Sequence, residues 1–113
     1  MIVHQYTDLI GNTPMMELCK IAPGLKGRVL AKLEMFNPMS IKDRAVLFMV
    51  KALEREGKLR PGTEVVEASS GNTAIALAAL AATMGFKARV YISEAVSAER
   101  VVILNAYAYG KNE

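Results

Sequence analysis

The sequence has too few metal-binding and thiol side chains for several classes of protein. Among its 113 residues are one cysteine, one histidine and no tryptophan. A single cysteine, Cys19, cannot form an intrachain disulfide, which favours a reducing compartment such as the cytoplasm. One cysteine and one histidine also cannot supply the ligand set of a zinc site, so we expect no metal centre.

Long apolar runs and a strong charge of one sign are missing as well. The longest apolar stretch covers residues 74–82, far short of the ~20 residues that a membrane-spanning helix needs. Residues 1–9 include His4, Gln5 and Asp8, so they lack the apolar centre of a signal peptide. The net charge is only +3, with Lys and Arg spread along the chain rather than clustered. We therefore expect neither a membrane nor a nucleic-acid partner.

What remains is the composition of a globular α/β protein, with 52% hydrophobic and 22% charged residues. Alternation and helical periodicity predict, in order, a strand at 28–34, a helix from about Ile41, a strand at 63–68, a helix at 73–84, a strand at 87–92 and a last helix that Ser97 caps and that runs to about Tyr107. Strand, helix and strand with short joins form a parallel βαβ unit. We assign one α/β segment, 1–113, in which 1–40 form N-terminal strands and turns and 41–113 form the βαβ part. So few strands predict an incomplete parallel sheet.

The first candidate site is the polar turn Ser69-Ser70-Gly71-Asn72-Thr73, which follows a predicted strand and opens a predicted helix. Ligands of open α/β sheets bind at this edge. The unpaired N–H groups of a helix start attract a carboxylate or a phosphate. An N-cap followed by a tight turn explains the same residues equally well, so the spacing alone leaves both interpretations open.

The second candidate site is Lys42, which the segment 37–44 (NPMSIKDR) places at the start of a helix. Ser40 is a plausible N-cap, and Asp43 adds negative charge to the first turn. The positive end of the helix dipole disfavours an ammonium ion and so favours the neutral amine that acts as a nucleophile. By itself, however, the pattern favours the alternative of a solvated surface lysine with Asp43 satisfying the dipole.

These segments occur in order with two others, IGNTP at 10–14 and KLE at 32–34. The series resembles the cysteine synthase (O-acetylserine sulfhydrylase) family of fold-type II pyridoxal phosphate enzymes, and the likeness continues through 92–94 and 97–107. The resemblance implies the fold of that family's N-terminal small domain and pyridoxal 5'-phosphate as cofactor. It also implies a β-replacement that makes cysteine from O-acetylserine, an activated serine, and sulfide. It does not separate cysteine synthase from the closely similar cystathionine β-synthase.

The resemblance also implies roles for individual residues. Lys42 matches the lysine that holds the cofactor covalently and later moves the substrate's α-proton. Asn72 matches the asparagine that hydrogen-bonds the cofactor's ring hydroxyl. Ser69, Ser70 and Thr73, together with Asn72, match the loop that receives the substrate's carboxylate. Residues 10–14 match a segment that looks structural in the family, and we assign it no chemistry.

The sequence also departs from the family's pattern. The turn before Lys42 is one residue shorter than usual, and Ala74 replaces a glycine, so that its methyl group is expected to crowd a ligand. In the family, the phosphate cup and the hydroxyl residue facing the pyridine nitrogen come later in the chain. We therefore expect these residues alone to lack activity, and the alternative function is a truncated, non-catalytic module that self-associates or binds a partner. An unpaired sheet edge and the alanine-rich helix at 73–84, which so short a chain has little left to cover, predict a homo-oligomer.

Overall fold

The structure is a computed structural model that describes residues 2–21, 23–69 and 71–108. Two 3-10 helices, Tyr6–Leu9 and Glu34–Phe36, accompany strands β1 (Met15–Glu17), β2 (Leu30–Lys32), β3 (Glu64–Ala68) and β4 (Lys87–Tyr91) and helices α1 (Lys42–Arg55), α2 (Asn72–Met84) and α3 (Ala98–Ala108). Every helix and strand predicted from residue 41 onward is present, with small shifts at its ends. Local periodicity and turn residues were therefore sufficient to predict this part of the fold.

The strands form two separate sheets. β3 and β4 pair in parallel, from Glu64 opposite Lys87 to Ala68 opposite Tyr91, with α2 as the crossover. Within the described residues this sheet has only two strands, which confirms the α/β class and the incomplete parallel sheet. The strand predicted at 28–34 is shorter than expected, and it pairs antiparallel with β1 instead of joining β3 and β4.

The core lies between α1 and α2. The buried residues of α1 follow an i, i+3, i+4, i+7 stripe of Asp43, Val46, Leu47 and Val50. Met49, which follows an apolar position of the helix, lies outside this stripe and is 52% exposed. The stripe that meets α2 is rotated toward Leu47, and periodicity alone does not fix that rotation.

The alanine-rich helix α2 is covered by the chain itself. Its buried residues are Ala74, Ile75, Ala76, Leu77, Ala79, Leu80 and Ala81. Both α1 and α3 pack against it, as do β3 and β4. The expectation that so short a chain cannot cover this helix is therefore wrong, because small alanine side chains let several elements approach at once. The helix ends at Gly85, whose left-handed φ of 82° suits glycine.

Part of the apolar surface stays open. Phe48 on α1 is 64% exposed, and Val66 and Tyr91 on the parallel sheet are 56% and 58% exposed. The radius of gyration is 17.3 Å, against about 13 Å for a compact domain of this length. Within the described residues, one face of the small parallel sheet therefore has no covering layer. No helix in the described part of the chain is long and apolar enough to cross a membrane.

Candidate active site

Lys42 is exposed at the first position of α1 and follows a tight turn. We call residues 39–43 the lysine turn. The Ser40 hydroxyl accepts the Lys42 N–H at 3.1 Å, but the N-cap position of α1 is Ile41, one residue later than the predicted cap. The Asp43 carboxylate folds back and accepts the N–H groups of Met39 at 2.7 Å and Ser40 at 3.2 Å. Asp43 thus lies in the first turn of α1, as predicted, and it is also a buried residue that closes the lysine turn.

A cluster of polar side chains flanks the lysine turn, with Glu34 at its centre. The Glu34 carboxylate accepts hydrogen bonds from Arg44 Nε (3.0 Å) and Nη2 (2.8 Å), from the Thr13 hydroxyl (2.6 Å) and from Asn37 Nδ2 (3.0 Å). The amide oxygen of Asn37 accepts the Gly11 N–H at 2.8 Å. Hydrogen bonds from Arg44 foremost, then from Thr13, lower the pKa of Glu34 to about 2.

Sequence reasoning missed this Glu34 cluster (Gly11, Thr13, Glu34, Asn37 and Arg44). Its members were recognised only as parts of separate motifs, and residues 10–14 were given no chemical role. The one available signal was the presence of a carboxylate at 34 and a guanidinium at 44 on either side of a turn. Nothing in the spacing indicated that residues 10–14 would pack against both.

The second part of the site is the turn between β3 and α2, which we call the carboxylate turn (residues 69–73). The Ser69 N–H donates to the carbonyl of Tyr91 at 3.1 Å, and its hydroxyl accepts the Gly71 N–H at 3.3 Å. Gly71 is the N-cap residue of α2, and no side-chain cap bond is present among the described residues. Asn72 is exposed and Thr73 is half-buried, so the capped-turn and the anion-site interpretations both fit this turn. Ser70 lies outside the described residues.

Two neighbours define the surroundings of the carboxylate turn. Arg100 Nη1 lies 3.7 Å from the position that a Cβ atom on Gly71 would take. Its guanidinium brings positive charge to the turn, a role that sequence reasoning did not assign. Ala74 is fully buried, so its methyl group packs in the interior and does not stand in front of the first-turn amides. The expected crowding of a ligand by Ala74 is therefore wrong.

The two turns lie toward one edge of the sheet. α2 follows β3 directly, so its N-terminus lies at the carboxyl end of that strand. α1 ends shortly before β3 begins and packs beside α2, so its N-terminus points toward the same edge. α3 touches both turns, since Arg100 reaches Gly71 and the Tyr107 hydroxyl donates to the Met39 sulfur at 3.1 Å. A primary amine and an uncapped helix start thus share the edge where α/β proteins bind ligands.

Comparison with known proteins gives the class that this arrangement defines. Residues 6–110 match the model of the family described as pyridoxal-phosphate dependent enzyme, and the chain belongs to that family.

Within the family, the chain corresponds to the N-terminal portion of cysteine synthases. It is 43% identical over 107 residues to a probable cysteine synthase of Bacillus subtilis, covering 94% of this chain and 34% of that protein. It is 40% identical over 111 residues to an N-(2-amino-2-carboxyethyl)-L-glutamate synthase of Ralstonia nicotianae, covering 97% of this chain and 33% of that protein. The crystal structure of a cysteine synthase from Entamoeba histolytica superposes with a TM-score of 0.84 at 39% identity, covering 96% of this chain and 33% of that one. The chain thus spans about a third of the length of these relatives.

Family membership implies pyridoxal phosphate, and the described residues fit one end of it. The exposed side chains of Lys42 and Asn72 offer an amine for the aldehyde and an amide for the ring hydroxyl. A phosphate dianion needs several converging N–H donors. The described glycines with left-handed φ angles lie on separate turns and form no such cup; they are Gly11, Gly24, Gly57, Gly62 and Gly85. Lys42 and Asn72 therefore suit the aldehyde and the ring of the cofactor, while its phosphate requires N–H donors other than those of the described glycines.

Proposed function

We propose that these residues form the lysine-bearing and carboxylate-binding part of a pyridoxal-phosphate-dependent enzyme that makes cysteine from O-acetylserine and sulfide. The family match over residues 6–110 carries the proposal. It is supported by the exposed Lys42 at the start of α1 and by the uncapped start of α2 at the same edge of the sheet.

Each proposed role follows from the chemistry of a side chain and its place. Bound pyridoxal phosphate supplies an electron sink for the substrate's α-carbon. Lys42 holds the aldehyde end and moves the proton at that carbon, and Asn72 bonds the ring hydroxyl. Ser69, Ser70 and Thr73 receive the substrate's carboxylate together with the first-turn amides of α2. The Arg100 guanidinium beside Gly71 adds positive charge that favours the same anion.

The names of the relatives support the proposal that this segment binds the α-amino carboxylate of the substrate. They include cysteine synthases, the glutamate-derivative synthase and, at 38% identity, an O-ureido-L-serine synthase of known structure. These products differ in the group on the β-carbon and share an α-amino carboxylate. We therefore assign the carboxylate to this segment and leave the choice of nucleophile, sulfide or the homocysteine of cystathionine β-synthase, to the rest of such an enzyme.

The role of Lys42 is tested by trapping. The protein is incubated with pyridoxal phosphate, reduced with borohydride and mapped by mass spectrometry. We expect Lys42 to carry most of the label. Lys51, exposed on the same helix, gives the matched control: Lys42→Arg should remove the specific label and Lys51→Arg should not. Label spread evenly over Lys20, Lys32, Lys51 and Lys58 would contradict the assignment.

These residues alone are proposed to lack cysteine synthase activity. Without a phosphate cup the cofactor is poorly oriented, and a misplacement of ~1 Å costs about 100-fold in rate. A sulfide-dependent cysteine assay on the purified chain is expected to give no turnover above background. Turnover of ~1 per second or more, an ordinary value for enzymes, would show that the chain is competent.

Self-association is the second candidate function, and the uncovered face of the parallel sheet favours it. Val66 and Tyr91 expose apolar surface there, beside an ion pair between Glu64 and Arg89 at 3.2 Å. A second copy covering this face would form a homodimer with an interface of about 2,000 Å² in total. Light scattering at micromolar concentration measures the mass. Val66→Lys should yield monomers, whereas the same change at the loop residue Val29 should not, and a wild-type monomer would exclude the dimer.

The proposed compartment is the cytoplasm. Cys19 is exposed and its thiol is free. An exposed free thiol is most easily kept in a reducing environment. Fractionation of the source cells with detection of the native protein measures this directly, and recovery outside the cytoplasm would contradict it.

A further inference from the structure

We propose that Glu34 is a positioning residue that fixes the lysine turn from both flanks; the inference rests on the proposed role of Lys42. Glu34 lies in the 3-10 helix that follows β2. Its carboxylate bonds Asn37, which precedes the lysine turn, and Arg44, which follows it. One side chain thus connects the two ends of the segment that presents the lysine.

The contacts of Glu34 are strong and shielded from solvent. Its two bonds to Arg44 form a bidentate pair between charged groups, the strongest class of protein hydrogen bond. The side chain of Glu34 is only 15% exposed. Two further partners, Thr13 and Asn37, are buried at 6% and 5% exposure. The Arg44 side chain is 38% exposed, so the shielding comes from the Glu34, Thr13 and Asn37 side of the cluster, where water competes weakly.

The cluster is anchored to the N-terminal segment through Gly11. The Gly11 N–H donates to Asn37, and its φ of 86° is a conformation that favours glycine. A Cβ atom at this position would lie 3.2 Å from Arg44 Nη1, closer than most real contacts. Gly11 thus allows the backbone to close against the guanidinium of Arg44. Residues 10–14, which were expected to be structural, thus have a specific structural role in holding the Glu34 cluster.

Such anchoring matters because, apart from the bond from the Tyr107 hydroxyl to the Met39 sulfur, the other described hydrogen bonds of the lysine turn are local. Those bonds join Ser40, Lys42 and Asp43 to each other and to Met39. Lysine also has a flexible four-carbon stem, so its amine is placed only as well as its backbone is placed. Productive chemistry requires placement within about 0.5 Å, which comes from supporting residues behind the reactive one.

The chain contains a matched control for Glu34. Glu17 and Arg28 also form a bidentate pair, with bonds of 3.0 and 2.9 Å. That pair joins β1 to the segment before β2, far from Lys42 in the chain, and its side chains are 38% and 70% exposed. Glu17→Gln and Glu34→Gln remove the same charge from the same kind of pair. The two pairs differ in exposure, in the further bonds that Glu34 accepts from Thr13 and Asn37, and in whether the pair flanks the lysine turn.

The experiment compares both variants with the wild-type chain, at temperatures well below each midpoint of unfolding. The readout is the ratio of borohydride-trapped pyridoxal phosphate on Lys42 to that on Lys51 of the same molecules. We expect Glu34→Gln to lower this ratio about tenfold, since a 1 Å displacement can cost more than that. Glu17→Gln should leave the ratio unchanged. Hydrogen exchange of the Gly11 and Asp43 amides, followed in parallel, should accelerate only in Glu34→Gln.

Each outcome decides the matter. An unchanged ratio in folded Glu34→Gln overturns the proposal. If that variant does not fold, Thr13→Val, which removes one bond to Glu34, replaces it, and an unchanged ratio there is equally decisive. If the wild-type chain shows no preference for Lys42, the proposed function fails by itself. Hydrogen exchange then decides the role of Glu34, because equal exchange in the two glutamine variants overturns it and faster exchange in Glu34→Gln alone supports it.

Discussion

Replacement of Asp43 by alanine tests the interpretation of the lysine turn. Asp43 is 1% exposed, and one carboxylate oxygen accepts the N–H groups of Met39 and Ser40. Alanine leaves both N–H donors without this acceptor, and an unsatisfied donor destabilises the fold by about 1–3 kcal/mol when it is fully buried. Because Met39 is 37% exposed, water restores part of that loss, and the lower end of the range applies. Within the described residues, the other oxygen of Asp43 is buried without a hydrogen-bond partner, so its removal also recovers a little of the lost stability. We expect a net loss of about 2 kcal/mol in the free energy of unfolding.

The assay is urea unfolding followed by circular dichroism at one fixed protein concentration, since self-association would alter apparent stability. With a denaturant slope of about 2 kcal/mol/M, Asp43→Ala should lower the midpoint by about 1 M. Asp43→Asn keeps one oxygen acceptor and should lose about half as much. Asp8→Ala, at an exposed carboxylate of the first 3-10 helix, is the control and should change little. An Asp43→Ala variant within ~0.5 kcal/mol of the wild type would refute the closing role of this carboxylate.

Three further substitutions test other parts of the structure. The pKa of Glu34, lowered from 4.5 to about 2 mainly by Arg44, means that its contribution to stability is complete above pH 4.5 and is lost as the pH falls toward 2. Glu34→Gln should reduce this loss of stability at low pH, measured by acid unfolding. A loss as large as that of the wild type would contradict the assignment. Burial foremost, then the charge of Asp43, raises the pKa of Tyr6 from 10.0 to about 12, so its contribution is present below pH 10 and is lost above it. Tyr6→Phe should remove the tyrosine ionisation near pH 12 from an ultraviolet titration. If an ionisation near that pH persists, it belongs to another tyrosine. Gly85→Ala forces a φ of 82° on alanine and should cost about 1–2 kcal/mol in urea unfolding. Gly27→Ala meets nothing within 4 Å and should change stability by less than ~0.5 kcal/mol, so equal effects would argue against strain at Gly85.

The sequence by itself determined the elements whose signals are local. The alternation of residues 63–68 and 87–92 predicted β3 and β4, and Gly85 fixed the end of α2. Short joins between these elements left a parallel βαβ unit as the topology. The candidate residues Lys42 and Asn72 were likewise identified from motifs, which placed Lys42 at a helix start and Asn72 in the turn before a helix. All of these features depend on residues within a few positions of one another, and dihedral preferences and periodicity act at that range.

The tertiary structure decided everything that depends on which surfaces meet. The buried stripe of α1 includes Leu47 and excludes Met49, because the approach of α2 sets its rotation. α2 is covered within the chain because α3 folds back over it. The Glu34 cluster includes hydrogen bonds between residues 21 to 31 positions apart, Thr13 to Glu34 and Thr13 to Arg44 among them. Hydrogen bonds of this range form only once packing has brought the segments together, and no local pattern in the sequence records that packing.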